Sequence, residues 1–248
     1  MRVKAASQFL ADICDASGGE YSRDAPRSTN NGKPMKEDAR SVHIGPRRLE
    51  GLLTVPDGAQ ELVIFAHGSG SSRLSPRNAH VAEALNGRGL ATLLFDLLTE
   101  AEAKDRANVF DIPLLGGRVM EAVRWAEADE DAAALAISLF GASTGTAAAL
   151  VAAAEMPDSV LAVVSRGGRP DLAEAVLDQV RAPTLLIVGG ADYIVIELNK
   201  KALNLLTCEK RLDVVPGATH LFEEPGTLDQ VVEAAADWFE VHLRKEKS

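Results

Sequence analysis

The sequence predicts an α/β fold, in which a mostly parallel, eight-stranded sheet carries helices on both faces. Short aliphatic runs recur along the chain as in buried strands, and segments of helical spacing or of small residues separate them. The 248 residues also suffice for one large domain that buries most of its apolar surface without disulfide or metal support. The elements are taken below in chain order.

Residues 1–38 differ from the rest of the chain. An amphipathic piece, Ala5–Cys14, precedes a polar stretch rich in Gly, Ser, Asn and Arg. This composition predicts an N-terminal extension that is partly disordered or serves as an interaction arm. The α/β domain is then residues 39–248. Neither a clean secretory signal nor an apolar run of membrane-spanning length is seen, so we expect a cytoplasmic protein that binds no membrane.

Eight strands are predicted. Ser41–Ile44 and Leu49–Val55 are expected to form a hairpin, and Leu62–Ala66 is a continuous apolar run of the kind found in buried strands. Five more runs follow at intervals that leave room for a helix between them. They are Ala91–Phe95, Leu135–Phe140, Val160–Val164, Thr184–Val188 and Arg211–Val215.

Six helices are predicted between or after these strands, with helical apolar spacing or, in one case, mostly small residues. They are Asn78–Asn86, a helix within Val109–Ala128, the small-residue segment Thr144–Ala154, Leu172–Val180, Val195–Leu206 and Leu228–Leu243. Strands that alternate with helices in this way lie parallel, and such a sheet places its active site beyond the carboxyl ends of its strands. The residues that directly follow strands are therefore the candidates for function.

The composition argues against several kinds of partner. Aromatic residues make up 4% of the chain, too few for the platforms on which bases or sugars stack. The formal net charge of −10 repels phosphate backbones, so nucleic acid is not an expected partner. Two cysteines, Cys14 and Cys208, form no disulfide framework and agree with a reducing cytosol.

A G-x-S-x-G pattern at residues 141–145 directly follows a predicted buried strand. In its usual setting, a sharp strand-to-helix turn exposes the central serine, here Ser143, as a nucleophile. The alternative is that Ser143 only caps the following helix. The position between a buried strand and a small-residue helix favours the nucleophile.

A serine nucleophile needs a base, and the chain has five histidines. His220 is the best candidate, because it follows the last strand at the correct end of the sheet. His67 also follows a strand, but its turn predicts a structural role. The other three lie in the first hairpin, within a helix and near the polar C-terminus: His43, His80 and His242.

The base in turn needs a carboxylate that fixes its tautomer. Asp192 lies just past a buried strand and is the preferred candidate, with a role as helix cap as its alternative. Glu197 is a rival but falls one turn inside the next helix, and Asp213 lies in the middle of a strand. Ser143, Asp192 and His220 follow one another in the order nucleophile, acid, histidine.

An oxyanion needs two preorganised donors. The N–H of Thr144 is one, at the start of a helix whose dipole assists it. The second is expected from the glycine-rich loop His67–Ser72, with the Ser69 amide preferred over that of Gly70. This loop lacks the spacing of either common phosphate-binding glycine motif.

Together these elements resemble the α/β-hydrolases, in the group similar to dienelactone hydrolases. The resemblance covers residues 41–245 and rests on the loop at His67, the Ser143 turn, Asp192 and His220, in that order. It implies an α/β-hydrolase fold with residues 39–248 as the catalytic domain. Dienelactone hydrolase itself carries a cysteine nucleophile, so the resemblance implies the fold and the triad but not that substrate.

Only Arg166–Pro183 separates two successive strands at the point where many α/β-hydrolases insert a lid. We therefore expect no cap domain and a shallow, open site, which disfavours a lidded lipase. Dehalogenases and epoxide hydrolases of this fold use an aspartate nucleophile, which Ser143 excludes.

Four residues near the expected pocket are candidates for substrate binding: Gly70, Arg73, Arg166 and Tyr193. A guanidinium there would bind a substrate carboxylate or phosphate. The alternative is an ion pair with acidic residues such as Glu223 or Glu224. Tyr193 either lines the entrance or covers Asp192.

The sequence thus predicts a serine esterase that cleaves small carboxylic esters or lactones through an acyl-enzyme. No metal or organic cofactor is implied, and the expected partner is a small-molecule ester. Two alternatives stay open: an acyltransferase or perhydrolase with the same triad, and a non-catalytic binding protein that retains the fold. An exposed sheet edge or residues 1–38 would also allow a homodimer.

Overall fold

The strands of the protein form one eight-stranded sheet in the order β1-β2-β4-β3-β5-β6-β7-β8. The computed structural model describes residues 39–246, so the predicted extension over residues 1–38 lies outside the described residues. The strands are β1 Arg40–Ile44, β2 Leu49–Thr54, β3 Glu61–Ala66, β4 Ala91–Phe95, β5 Ala136–Ala142, β6 Val160–Arg166, β7 Thr184–Gly189 and β8 Lys210–Val215. β2 pairs antiparallel with β1 and β4, and all other neighbours pair parallel.

Helices cover both faces of the sheet, which confirms the predicted fold class. The helices are α1 Pro76–Gly87, α2 Glu100–Ala103, α3 Arg106–Val109, α4 Ile112–Ala126, α5 Thr144–Glu155, α6 Tyr193–Leu205 and α7 Thr227–Glu246, together with a 3₁₀ segment at Pro170–Gln179. One core lies between the sheet and α4, α5 and α6, and a second lies between the sheet and α1 and α7. No helix among residues 39–246 has the length and apolarity that crossing a membrane requires.

Two segments differ from the sequence-based expectation. The helix predicted at Leu172–Val180 is a 3₁₀ segment, interrupted by Ala173 at φ −107° and ψ 18°. The region before α4 holds two one-turn helices, α2 and α3, that the apolar spacing did not predict. They are too short to show helical periodicity, but Thr99 and Glu102 form a capping box that a search for T-x-x-E would have found.

The connection from β6 to β7 is short. Residues 167–183 contain only the 3₁₀ segment, so no cap domain is inserted there. Within the described part of the chain, each of the central strands β3, β5, β6 and β7 is followed by a loop at its carboxyl end. These loops carry the predicted functional residues.

Candidate active site

Ser143 occupies the turn between β5 and α5 and has φ 51° and ψ −122°. A left-handed φ is unfavourable for a residue with a Cβ, and such strain persists only where its surroundings enforce it. The Ser143 N–H donates to the carbonyl of Arg166 at 3.2 Å, and the Ser143 carbonyl accepts from the Arg169 N–H at 3.0 Å. Its hydroxyl makes no capping hydrogen bond. The Ser143 side chain therefore does not act as a helix cap, which leaves its hydroxyl available for another role.

The two glycines of the G-x-S-x-G pattern leave room for this turn. A Cβ on Gly141 would lie 2.5 Å from Cα of Thr146, and a Cβ on Gly145 would lie 2.0 Å from the carbonyl oxygen of Ala66. Both neighbours are backbone atoms that cannot rotate away. The pattern is thus required by the close packing of β3, β5 and α5 around Ser143.

His220 and Asp192 are hydrogen-bonded, with 2.7 Å between His220 Nδ1 and Asp192 Oδ2. Asp192 precedes α6, but its side chain makes no capping hydrogen bond and turns to the histidine instead. The rival carboxylates are engaged elsewhere, since Glu197 pairs with Lys200 and Asp213 with Arg211. Of the three carboxylates considered, the structure brings Asp192 to His220.

The turn that follows β6 lies against both Ser143 and His220. Arg166 and Arg169 hold the backbone of Ser143 through the two hydrogen bonds given above. Between them, Gly167 has φ 53°, and a Cβ there would lie 3.0 Å from the carbonyl oxygen of His220 and 3.6 Å from its Cε1. On the opposite side, a Cβ on Gly68 would lie 2.9 Å from Cβ of Ser143. Glycines thus allow loops of three strands to meet around the serine.

The other histidines have partners of their own. The Leu97 N–H donates to His67 Nε2 at 3.1 Å, and His67 Nδ1 lies 3.0 Å from the Gly68 carbonyl, so His67 is a neutral ring that holds two loops together. Burial lowers the pKa of His67, which agrees with this neutral form. His43 is exposed on β1, and His80 faces Asp229. His242 is buried near the C-terminus, with Nδ1 2.7 Å from a backbone carbonyl.

The Ser69 amide, predicted as an oxyanion donor, donates to the side-chain oxygen of Thr144 at 3.0 Å. Gly70, its rival, lies next to it with φ 70° and open space around its Cα. Thr144 is only 2% exposed and follows Ser143 directly. The structure therefore brings both predicted donor residues together, on one side of the serine.

A cavity of about 230 Å³ adjoins these donors. Its lining includes Ser69 and Thr144, the carboxylate residues Asp96 and Glu100, and a group of apolar side chains: Leu97, Leu98, Val109 and Leu115. α2 and α3 contribute to this lining, and a buried arginine, Arg118 of α4, holds α2 through an ion pair with Glu102 at 2.9 Å. The contributions of the one-turn helices, Glu100, Ala103 and Val109, were not predicted, because these helices themselves were not predicted.

The arginines near the site differ in their partners. Arg73 forms ion pairs with Asp96 and Glu50, and Arg77 pairs with Glu223 at 3.1 Å. Arg166 forms no ion pair within the described residues. Its Nη2 donates to the side-chain oxygen of Asn78 at 3.2 Å, and its Nη1 is buried without a hydrogen-bond partner.

Arg166 is thus a buried guanidinium whose charge lacks a carboxylate. It is 9% exposed, and burial together with the positive charge of Arg77 lowers its pKa to about 10. It remains protonated near neutral pH, so a negative group would be strongly favoured beside it. Tyr193, in contrast, is 75% exposed at the start of α6. Glu224 accepts from the Thr219 N–H at 3.1 Å and binds no arginine of this group.

Comparison with known proteins agrees with this architecture. The model of the dienelactone hydrolase family matches residues 49–244. The crystal structure of dienelactone hydrolase from Anabaena variabilis is 54% identical, with a TM-score of 0.80, and covers 84% of this chain and 98% of its own. Est1E from Butyrivibrio proteoclasticus, at 18% identity and a TM-score of 0.71 over 82% of this chain and 99% of its own, shows likeness of fold alone.

A curated relative carries a different name. A Mycobacterium tuberculosis protein named "Putative phosphoribosyl transferase" is 57% identical over 210 residues, which is 85% of this chain but 47% of the relative. The chain thus spans about half the length of the curated relatives that it matches. The family match, in contrast, extends from β2 into α7 and includes the Ser143 turn, Asp192 and His220. On that match, the chain belongs to the dienelactone hydrolase family.

Proposed function

We propose that this chain is a serine hydrolase that cleaves small carboxylic esters or lactones through an acyl-enzyme on Ser143. The observation that carries the proposal is the 2.7 Å hydrogen bond between Asp192 and His220, beside a serine held at φ 51°. A carboxylate on Nδ1 fixes the tautomer in which Nε2 is free to accept a proton. The family match supports hydrolysis, and the ester substrate is our inference from this arrangement.

In the proposed reaction, Ser143 Oγ attacks the ester carbonyl while His220 Nε2 takes the hydroxyl proton. Asp192 stabilises the resulting imidazolium without itself becoming protonated. The oxyanion lies against the Thr144 N–H, at the start of α5, and toward the loop that carries Ser69. His220 then protonates the leaving alcohol, and later activates the water that hydrolyses the acyl-enzyme. These steps use only side chains and backbone amides of the chain.

The cavity beside Thr144 supports a small substrate group. Its volume of about 230 Å³ is below the roughly 300–1,000 Å³ of sites for drug-sized ligands. Its apolar wall suits a short acyl chain, and the short connection from β6 to β7 supplies no lid to cover a longer one. We therefore propose acyl groups of a few carbons.

Arg166 is the arginine that we propose to contact substrate. Arg73 is neutralised by two carboxylates, whereas Arg166 is buried beside the Ser143 turn without one. A carboxylate on the substrate would supply the missing charge. The name of the M. tuberculosis relative does not alter this proposal, because the matched region is 47% of that relative and the dienelactone hydrolase model matches residues 49–244 of this chain.

Labelling with a fluorophosphonate tests the proposed nucleophile. We expect intact-mass spectrometry to show one adduct per chain on the wild type, because an activated serine attacks phosphorus as it attacks a carbonyl. The Ser143→Ala variant should show none, and Ser165→Ala, which changes a buried serine outside the proposed triad, should label like the wild type if it folds. Absence of an adduct on the wild type, or an adduct that persists in Ser143→Ala, would disprove the proposal.

A panel of p-nitrophenyl esters tests the proposed substrate. We expect kcat/KM for acetate or butyrate to exceed that for octanoate by about tenfold or more, since overfilling a packed cavity costs about 1–3 kcal/mol. The p-nitrophenyl monoester of succinic acid should be cleaved about tenfold better than butyrate, because hydrogen bonds to charged groups contribute about 1.5–3 kcal/mol. Arg166→Gln should remove only this second difference. A preference for octanoate would contradict the small site, and equal rates for succinate and butyrate esters would contradict the role of Arg166.

A further inference from the structure

Ser69 and Thr144, the two residues expected to hold the oxyanion, are hydrogen-bonded to each other. The Ser69 N–H donates to Thr144 Oγ1 at 3.0 Å, so the amide that would bind the substrate oxygen already has an acceptor. An N–H group makes one strong hydrogen bond at a time. On substrate binding, the Thr144 hydroxyl leaves the Ser69 amide, or the Gly70 amide serves in place of that of Ser69, or the hydroxyl becomes part of the oxyanion site itself.

Several features keep the Thr144 hydroxyl in place. Thr144 is 2% exposed and is the first residue of α5, where its β-branched side chain has few rotamers. Its neighbours are the Ser69 loop on one side and the cavity on the other. Rotation away from Ser69 would leave that amide without this acceptor in a half-buried site.

The proton of this hydroxyl is available for a second hydrogen bond. A hydroxyl accepts through its lone pairs and donates one proton, and Thr144 Oγ1 only accepts in the bonds found among residues 39–246. Thr146, two residues on, shows the contrasting case, since its hydroxyl bonds to the Gly141 carbonyl at 3.1 Å and lies 3.0 Å from the Ser165 hydroxyl. The Thr146 hydroxyl thus donates its hydrogen bond within the turn, whereas the Thr144 hydroxyl has no acceptor for its proton among the described residues.

We propose that the side chain of Thr144 is an oxyanion donor. The substrate oxygen accepts two hydrogen bonds from this residue, one from its N–H and one from its hydroxyl, and the Ser69 N–H holds and polarises that hydroxyl from behind. Accepting a bond from Ser69 strengthens the hydroxyl as a donor, and an O–H donor to an anion forms a short, strong bond. This inference rests on the proposed hydrolysis at Ser143.

Replacing Thr144 by valine, which keeps the shape and removes the hydroxyl, tests the inference. We expect kcat for p-nitrophenyl acetate to fall about 10²-fold, the usual effect of losing one oxyanion donor, with KM nearly unchanged. Thr144→Ser keeps the hydroxyl and should retain most of the activity. If the valine variant is as fast as the wild type or faster, the hydroxyl only blocks the Ser69 amide, and the inference is wrong.

Inhibition separates a role in the transition state from a structural one. Phenylboronic acid adds to an active serine and mimics the tetrahedral intermediate. Thr144→Val should therefore raise its inhibition constant by about the same factor by which it lowers kcat/KM. Inhibition by the product acetate should be unchanged in the same variant. If the valine variant has a lower Tm than the wild type, its folding is perturbed. Thr144→Ala, which removes the hydroxyl without adding bulk, is then used in place of the valine variant in both assays.

Failure of this inference differs from failure of the proposed function. If wild type labels at Ser143 and cleaves esters while the valine and alanine variants match it, only the role of the hydroxyl is disproved. If wild type neither labels nor cleaves any ester of the panel, the proposed hydrolysis is wrong, and the inference falls with it.

Discussion

Replacing Asp192 by asparagine should lower kcat for ester hydrolysis about 10⁴-fold, the effect expected for the acid of a Ser-His-Asp triad. The Asp192 carboxylate accepts from His220 Nδ1 at 2.7 Å, and so places the proton on Nδ1 and the lone pair on Nε2. An amide at position 192 can instead donate to Nδ1, which favours the tautomer with a protonated Nε2. That ring cannot take the proton of Ser143. The measurement is kcat for p-nitrophenyl acetate at neutral pH.

Glu197→Gln is the matched control for this prediction. Glu197 lies one turn further along α6, and its exposed side chain pairs with Lys200 at 2.8 Å. An exposed ion pair of this kind contributes little to stability, so both the free energy of unfolding and kcat should change little. Should Glu197→Gln reduce kcat more than Asp192→Asn, the acid of the site is Glu197, and the assignment of Asp192 is wrong.

Replacing Gly145 by alanine should destabilise the protein severely. The added Cβ would lie 2.0 Å from the carbonyl oxygen of Ala66 and 2.6 Å from that of His67. Both contacts are backbone, so the end of β3 and the start of α5 must separate. Losses above about 4 kcal/mol in the free energy of unfolding are exceptional for one substitution, and we expect this variant to be among them. Urea unfolding measures the loss, and fluorophosphonate labelling should fall with it.

Gly117→Ala is the control for a glycine without this constraint. Gly117 lies inside α4, and a Cβ there would meet no atom within 4 Å. Alanine in a helix interior is favoured over glycine by about 0.5–1 kcal/mol, so this variant should be as stable as wild type or slightly more stable. A Gly145→Ala variant that unfolds at the wild-type urea concentration would refute the proposed backbone clash.

Much of the fold was predictable because the sequence patterns that mark its strands and helices each span only a few neighbouring residues. Each of the eight predicted strands overlaps an observed one, since aliphatic runs such as Leu62–Ala66 are buried on both faces of a parallel sheet. Prediction failed for short or irregular elements, where there is too little chain for periodicity. α2, α3 and the 3₁₀ segment are the examples, and two of them form walls of the cavity that was therefore also missed.

The residues of the candidate site were likewise predicted only in part. Ser143, Asp192 and His220 were chosen as candidates because each lies within a few residues of the end of a strand, and parallel strands bring their carboxyl ends to one edge. The substrate-binding candidates were less well determined. Both Arg73 and Arg166 follow strands in the sequence, yet in the part of the chain that the structure describes Arg73 is paired with two carboxylates and Arg166 with none.

The sequence by itself determined the α/β class, the order of the strands along the chain and three residues of a candidate triad. Only the tertiary structure decided that Asp192 rather than Glu197 binds His220, that Arg166 has no counter-ion among residues 39–246 and that the Ser69 amide binds the Thr144 hydroxyl. The physical reason is distance along the chain. Strands and turns follow from residues that are neighbours in the sequence. The environment of His220, Arg166 and Ser69 depends on groups that are far apart in the sequence and come together only when the strands assemble into the sheet.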